Sequence, residues 1–475
     1  MRITNSMMVS QFLYDTNGSV NRLSKYQSQV TSTKRITNIS DDPLATITAL
    51  RARNKLSNLT YYQSNISTAG SYLKEAESSV SELNEIVKTA YEQVVSAMSG
   101  SKTQDELNII AEELENLKNE LLGIGNATIG NTYIFGGYNF TGSTDGNSRV
   151  APFSVDNVTG RLFYNKIDIS KFAWKEEFEN FTELMQKSAE NVLNFAAELD
   201  GSPTDYYAKE TICRNINNAL SQIVDCGKNA LYAARQFGLD LPEDNELSKV
   251  LDSISTALKK LENERSKKLN DGSGSDPENC FSISAYKNCL TDAINILNNK
   301  DMEGNPVESQ LQQAINTVAD EIVIDNDTRN NLESEKAKRA QLQIGVSQTV
   351  EFTLNGLDLM GTGKDNIYHI LDKCVKMLKG QMEPDGLKSM ITTLQKKQSD
   401  ILNLQTQIGT IQNKLELIGS RYSASEINYT EMRSEAEDAD MAEAIMNFTT
   451  AKTVYSSALA SGAKMLQISL IDFLR

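Results

Sequence analysis

Apolar residues recur every seventh position along one stretch near the start of the chain: Ala52, Leu59, Ile66, Leu73, Val80, Val87 and Val94. Three positions later in each repeat the residue is mostly small or apolar: Tyr62, Ala69, Ala76, Leu83, Ala90 and Ala97. Such a heptad seam predicts a helix packed lengthwise against another. No proline interrupts it between Pro43 and Pro152, and at about 1.5 Å per residue the helix would run roughly 70 Å. One helix cannot bury such a stripe alone. A matching seam lies near the other end, where Leu387, Leu394, Ile401, Ile408, Leu415, Tyr422 and Tyr429 repeat every seven, with Met390, Leu404, Ile411 and Ile418 three later. The two patterns predict an antiparallel helical rod built from both chain ends, with the middle looped out. Its core is expected to hold Leu59, Ile66, Leu73, Val80 and Val87 against Leu394, Ile401, Ile408 and Leu415.

The extreme ends read as weaker helices. Over Met1 to Thr33 the residues Ile3, Met7, Leu13, Val20, Leu23 and Val30 lie near heptad spacing, but Thr16 and Gln27 fill seam positions and Gly18 lowers helix propensity. In the polar segment that follows, Ser40 or Asp41 is placed to cap the next helix, with Pro43 in its first turn. The last segment opens on the acidic run Glu435 to Asp440, which suits a positive helix N-terminus. Its stripe is Ile445, Phe448, Tyr455, Leu459, Leu466 and Phe473, broken by Lys452 and Gly462 and flanked by Ala444, Ala451 and Ala458. With only an equally weak helix available locally, Ile3, Met7, Leu13 and Val20 and the stripe of the last segment are expected to form a subunit interface.

The middle changes character twice. A second amphipathic helix carries Leu107, Ala111, Leu114, Leu117, Leu121 and Ile124, and then Gly130 to Tyr138 reads as a short strand bounded by turns. Weaker strand signals follow at Arg161–Tyr164 and Ile167–Ile169, and helical patterns return from about Lys175 to Arg339, as in Leu247, Leu251, Ile254, Leu258 and Leu261. Turn clusters at Gly201–Pro203 and Asp271–Pro277 break that stretch. Gln341 to Leu354 alternates in part and runs through Asn355-Gly356 into Leu357 and Leu359, a hairpin pattern. These observations divide the chain into terminal helices (1–42 and 435–475), a helical rod (43–129 and 385–434), a β-containing region (130–174 and 340–384) whose halves are expected to share a sheet, and an inserted, mainly helical outer domain (175–339).

Composition narrows the function. With 47 Lys and Arg against 63 Asp and Glu, the net charge is −16. That balance, with no basic patch, argues against a nucleic-acid partner. No run of about 18 apolar residues could span a bilayer, and Met1 to Gln11 lacks the form of a cleavable signal peptide; on those criteria alone the chain would be cytosolic. Cys213, Cys226, Cys280, Cys289 and Cys374 lack the spacing of a zinc or redox site and read as buried or free thiols, with a Cys280–Cys289 bridge as the sharper alternative. Catalytic and cofactor patterns are equally poor. His369 is the only histidine and stands beside Tyr368 as an ordinary helix residue. Gly361-Thr362-Gly363-Lys364 lacks the flanking residues of a phosphate loop, Gly123, Gly125 and Gly130 miss the dinucleotide spacing, and Asp325 to Arg329 sets an arginine where a calcium loop needs an oxygen. No enzyme, cofactor or metal is expected.

The ends and two internal motifs carry a resemblance. Met1 to Met8, Asn38 to Pro43, Tyr133 to Tyr138, Asn355-Gly356 with Gly361 to Ile367, Ala439 to Ile445, and Leu466 to Leu470 resemble the bacterial flagellin family, in particular its hook-associated members at the hook-filament junction. The likeness covers about residues 1–172 and 340–475 in the right order; the helical stretch 175–339 and the five cysteines depart from it. It implies a structural subunit secreted unfolded through the flagellar export apparatus and resident in the flagellum. Its implied partners are copies of itself, hook-associated protein 1, flagellin and an export chaperone. The terminal segments would be disordered in the free protein and ordered by assembly, as befits helices that cannot bury their own stripes. The alternatives are a filament flagellin, against which stand Met7-Met8, Pro43 and the ending Leu470 to Phe473, and a cytosolic coiled-coil scaffold.

Overall fold

The structure, a computed structural model, describes residues 5–99, 102–139, 141–145, 148–156, 158–201, 206–267, 282–298, 307–382 and 387–473. It is mainly α. Helices α1 (Asn5–Ser32), α2 (Pro43–Ala97) and α3 (Gln104–Gly125) precede the short strands β1 (Thr128–Ile129), β2 (Thr132–Tyr133), β3 (Ser143–Asp145), β4 (Ser148–Val150), β5 (Phe153–Val155), β6 (Leu162–Tyr164) and β7 (Ile167–Asp168). Six helices follow: α4 (Ile169–Asp200), α5 (Tyr206–Phe237), α6 (Glu246–Ser266), α7 (Ile283–Leu297), α8 (Gln310–Ala319) and α9 (Asn326–Ala337). Strands β8 (Gln341–Gly345) and β9 (Gln348–Glu351) lead to α10 (Gly356–Met360), α11 (Ile367–Leu378), α12 (Leu387–Glu437) and α13 (Met441–Phe473). The chain divides into two compact units, one of Met1–Gly70, Gln343–Thr349 and Asn413–Arg475, the other of Ser71–Leu342 and Val350–Gln412.

Within each unit α2 lies against α12. In the first, Ala52, Leu59, Leu415, Ile418 and Tyr422 are buried and Ile66 is half-buried. There the Tyr62 and Tyr422 rings are 5.9 Å apart, and Gln63 Nε2 donates to Glu426 Oε2 at 3.0 Å. In the second, Leu73, Val80, Leu83, Val87 and Val94 are buried with Leu394, Ile401 and Ile408. Gln412 Nε2 donates to Glu77 Oε2 at 3.0 Å, and Gln395 Nε2 to the Tyr91 hydroxyl at 3.3 Å. In the first unit Arg53 meets Glu437 while Tyr62 meets Tyr422, and in the second Glu77 meets Gln412 while Tyr91 meets Gln395, so advance along α2 is met by retreat along α12 and the pairing is antiparallel. Each fully buried Leu or Val contributes about 1.5–3 kcal/mol of apolar burial.

The start of α2 differs from expectation by one residue. Asp42, not Ser40 or Asp41, caps the helix, its Oδ1 accepting from Ala45 N at 3.1 Å. Asp41 instead closes the preceding loop by accepting from Asn38 N at 3.0 Å and Thr37 N at 3.2 Å. The Asn38 amide beside it brings the Asp41 carboxyl down to about 2.

In the second unit α4 to α8 surround one apolar core that includes Trp174, Phe178, Met185, Ile216, Leu220, Leu251, Ile254, Leu261, Tyr286 and Leu290. Tyr286 donates to Asn217 Oδ1 at 2.6 Å and to the Cys213 carbonyl at 2.9 Å. The strands form separate small sheets, β1-β2, β3-β4, β5-β6-β7 and β8-β9, so the two β-rich stretches do not share a sheet. One isolated bridge, Gly136 to Asn355, joins them. The hairpin also turns earlier than its sequence suggests, between Gly345 and Gln348. Asn355-Gly356 starts α10, the Asn355 Oδ1 accepting from Leu357 N at 2.9 Å.

Two sequence motifs meet at this point. Gly356 N donates to the Phe135 carbonyl at 2.9 Å, and the Tyr164 hydroxyl donates to the same carbonyl at 2.9 Å. A Cβ on Gly356 would stand 2.5 Å from Phe153 Cε2 and 2.7 Å from Tyr164 Cε2. Gly356→Ala should therefore destabilise the second unit by about 1–3 kcal/mol through overpacking. Gly123→Ala, in helix α3 with nothing within 4 Å of a new Cβ, should stabilise by about 0.4–1 kcal/mol. Urea unfolding of the two variants measures both signs.

Candidate assembly surface

Helices α1 and α13 pack on each other within the first unit. One close approach between them uses a glycine: a Cβ on Gly462 would fall 2.1 Å from Phe12 Cζ, so the ring seats on bare backbone. Buried Ser19 donates from Oγ to the Asp15 carbonyl at 3.0 Å, a polar contact where a seam would place an apolar side chain. The pairing leaves much apolar surface in water. Met7 is 61% exposed, Leu13 55%, Val20 39%, Ile445 50% and Leu459 45%. Phe448 and Tyr455 are half-buried. Ile3 and the side chains of Leu466 and Phe473 lie outside the described residues. Met8, Tyr14, Met446 and Val454, which the stripes did not include, are also exposed. A monomeric protein rarely exposes so many large apolar residues on one helix pair.

The acidic run before α13 is not a single helix start. Asp440 alone caps α13, its Oδ1 accepting from Ala442 N at 2.9 Å and Glu443 N at 3.3 Å. Glu437, the last residue of α12, is 5% exposed and receives Lys34 Nζ at 2.8 Å. Lys34 also reaches Asp438 Oδ1 at 2.6 Å, and that hydrogen bond holds the Asp438 carboxyl below the usual range.

In the second unit the polar groups singled out by sequence are engaged internally. His369 is buried on α11 with its ring 4.5 Å from Trp174 and its Nε2 3.8 Å from Glu177 Oε1. Lys373 Nζ donates to Glu177 Oε2 at 2.6 Å. Burial acts to raise the Glu177 pKa, and the neighbouring His369 and Lys373 outweigh it and bring the carboxyl down to about 2. Beside them Asp372 accepts Lys118 at 2.9 Å and Lys376 at 2.8 Å. The turn Gly361 to Lys364 does hold an anion, but it is the chain's own: Lys364 N donates to Glu176 Oε2 at 2.8 Å, and that carboxylate fills the space a Cβ on Gly363 would need. Asp325 caps α9 by accepting from Thr328 N at 2.8 Å, which accounts for the calcium-like opening of its segment. Cys213, Cys226 and Cys374 are buried and Cys289 is a half-buried free thiol; Cys280 lies outside the described residues. Burial pushes the Cys374 thiol up to about 12 and the Cys213 thiol up to about 11. Among the described residues no cluster of His, Cys, Asp and Glu could hold a metal, and no helix is long and apolar enough to cross a membrane.

Residues 3–140 match the N-terminal helical region of bacterial flagellin, and residues 391–474 match its C-terminal helical region. The two matches lie at the two ends of the chain, which are therefore similar to flagellin helical regions. The flagellar hook-associated protein 3 of Salmonella typhimurium is 30% identical over 161 residues, which is 34% of this chain and 48% of that protein. Its Escherichia coli namesake is 30% identical over 157 residues, 33% of this chain and 47% of that protein. The chain spans about half the length of these curated relatives. A solved structure of a flagellar hook-associated protein from Vibrio parahaemolyticus aligns with 84% of this chain and 100% of its own at a TM-score of 0.42 and 11% identity.

Gly462→Val should displace Phe12 and loosen the α1–α13 pair. Limited proteolysis should then cut within 5–32 and 441–473 faster than in the unsubstituted protein, with the second unit cut at an unchanged rate. Glu177 yields a second expectation. A depressed carboxyl contributes stability above its unfolded pKa and loses it as pH falls through the folded one, so this share disappears between about pH 4.5 and pH 2. Lys373→Met, which strands Glu177 in the core, should cost about 3 kcal/mol by urea unfolding at pH 7.

Proposed function

We propose that this chain, flagellin-like at both ends and similar to flagellar hook-associated protein 3, is a structural subunit of the bacterial flagellum that forms the junction between hook and filament. The observation that carries the reading is the α1–α13 pair, whose two helices cover each other only in part. Apolar side chains such as Leu13, Ile445 and Leu459 stay in water until neighbouring subunits arrive. Assembly then removes that surface, and its free energy completes the ordering of the terminal helices as the polymer grows. Heterologous contacts of this kind close into a ring when the subunit rotation allows.

In this reading one end of the ring meets hook-associated protein 1 and the other meets flagellin. The protein reaches its place through the flagellar export apparatus, and the stripe of α13 is covered by an export chaperone beforehand. Residues Ile3, Met7, Leu13 and Val20 and residues Ile445, Phe448, Tyr455, Leu459, Leu466 and Phe473 supply the intersubunit contact. Within the first unit the buried part of the α2 and α12 seam gives each copy a core beside which to display it.

Leu459→Asp tests this directly, because a carboxylate at an exposed position costs the free subunit little but costs several kcal/mol once covered by a neighbour. The variant should keep its helix content by circular dichroism and fail to appear in purified flagella. Its normal incorporation would remove α13 from the interface. Cells lacking the gene should still build hooks while shedding unpolymerised flagellin into the medium; a lost hook or an intact filament would place the subunit elsewhere.

A further inference from the structure

The two segments that join α1 to α2 and α12 to α13 run side by side within the first unit. Lys34 and Asp438 form an isolated antiparallel bridge, with Ala439 N donating to the Thr33 carbonyl at 3.1 Å and Arg35 N donating to the Glu437 carbonyl at 2.8 Å. Thr33 takes a positive φ of 60° to enter it, a conformation that a β-branched residue seldom adopts without surrounding support. Arg35 Nη2 also donates to the Ala436 carbonyl at 2.9 Å while Nη1 meets Asp42 Oδ2, the cap of α2, at 3.2 Å. At the centre stands the Glu437 carboxylate, which takes Lys34 from the α1–α2 segment, Arg53 from α2, and Arg433 of its own helix at 3.7 Å. Such crossings are ordinarily hinges, yet this one has backbone pairing, an arginine staple and one buried acid shared by cations from different elements.

We infer that Glu437 is a positioning residue for assembly: its ion pairs with Lys34 and Arg53 clasp the two connecting segments and fix the angle at which α1 and α13 leave α2 and α12. This deepens the subunit reading and rests on it. Polymerisation needs every copy to present its apolar helix pair in one orientation. A loose crossing would let the pair swing, and each docking event would carry the entropy of re-ordering it. A carboxylate is suited to the task because cations from separate elements converge on one point, and removing it leaves them facing each other.

The test compares the unsubstituted full chain with Glu437→Gln and Glu437→Asp. In the unsubstituted protein the Arg35 and Ala439 amides should be protected from hydrogen exchange; rapid exchange of both overturns the clasp. Glu437→Gln should keep the circular dichroism of the parent, lose about tenfold of that protection and add to flagellar ends about tenfold more slowly. Glu437→Asp should recover part of both. Raising the salt should slow the parent toward the rate of Glu437→Gln and leave that variant nearly unchanged, a dependence that a merely space-filling residue would not confer. If Glu437→Gln loses helix, Lys34→Gln takes its place with the same expectations. Parental exchange and parental growth in the variant refute the clasp. Failure of the parent itself to add to flagella refutes the subunit reading instead, and leaves the exchange comparison to decide the clasp.

Discussion

Two apolar seams at opposite ends of the sequence can be buried only by each other, and this constraint governs the rest of the molecule. A helix bearing Leu73, Val80 and Val87 needs a partner bearing Leu394, Ile401 and Ile408, and the chain supplies one some three hundred residues later. Because α2 and α12 run antiparallel, the segments beyond their outer ends are delivered to the same place. That is why α1 and α13 find each other despite propensities too weak to hold either helix alone.

The seams and the terminal pair differ in how completely they are satisfied. In the second unit the α2 and α12 seam residues are almost wholly removed from water, and glutamine, glutamate and tyrosine contacts mark the flanks. In α1 and α13 a glycine, serines and threonines take places that larger apolar groups would fill, and the displaced apolar residues face outward. A pair built this way remains short of a full core. The inserted module repeats the logic of the seams: α4 to α8 share one core, and Glu176 and Glu177, about two turns into α4, tie it to the Gly361–Lys364 turn and to α11. The glycine-rich turn is therefore an internal joint whose anion is already supplied.

Periodicity made much of this legible. The heptads of α2 and α12, the amphipathic α3 and the helical stretch after Lys175 all carry a repeating stripe that reads directly as a buried face. Helix α11 carries a period, with His369, Asp372, Lys373 and Lys376 at helical spacing, but it is short and its polar side is turned inward as well, where Glu177 and Lys118 from distant helices pair with it. Asn355-Gly356 misleads because the same pair suits a hairpin turn and a helix start, and only the contact with Phe135 chooses between them. The acidic run from Glu435 misleads for a related reason: its residues are divided between the end of α12, the bridge to Lys34 and the cap of α13, a division set by a segment four hundred residues away. Leu13 and Ile445, expected at a subunit interface from their stripes, are exposed, whereas the exposure of Met8, Tyr14, Met446 and Val454 outside those stripes depends on how two distant helices meet and has no signal along the chain.

The central claim is that the terminal pair completes its burial only among other copies. Hydrogen exchange of peptides from 5–32 and 441–473, compared between the free protein and the protein in isolated flagella, tests it with peptides from 73–94 as the internal standard. The account predicts strong slowing of exchange in both terminal segments on assembly and little change in the standard. Equal exchange of the terminal segments in the two states would contradict it.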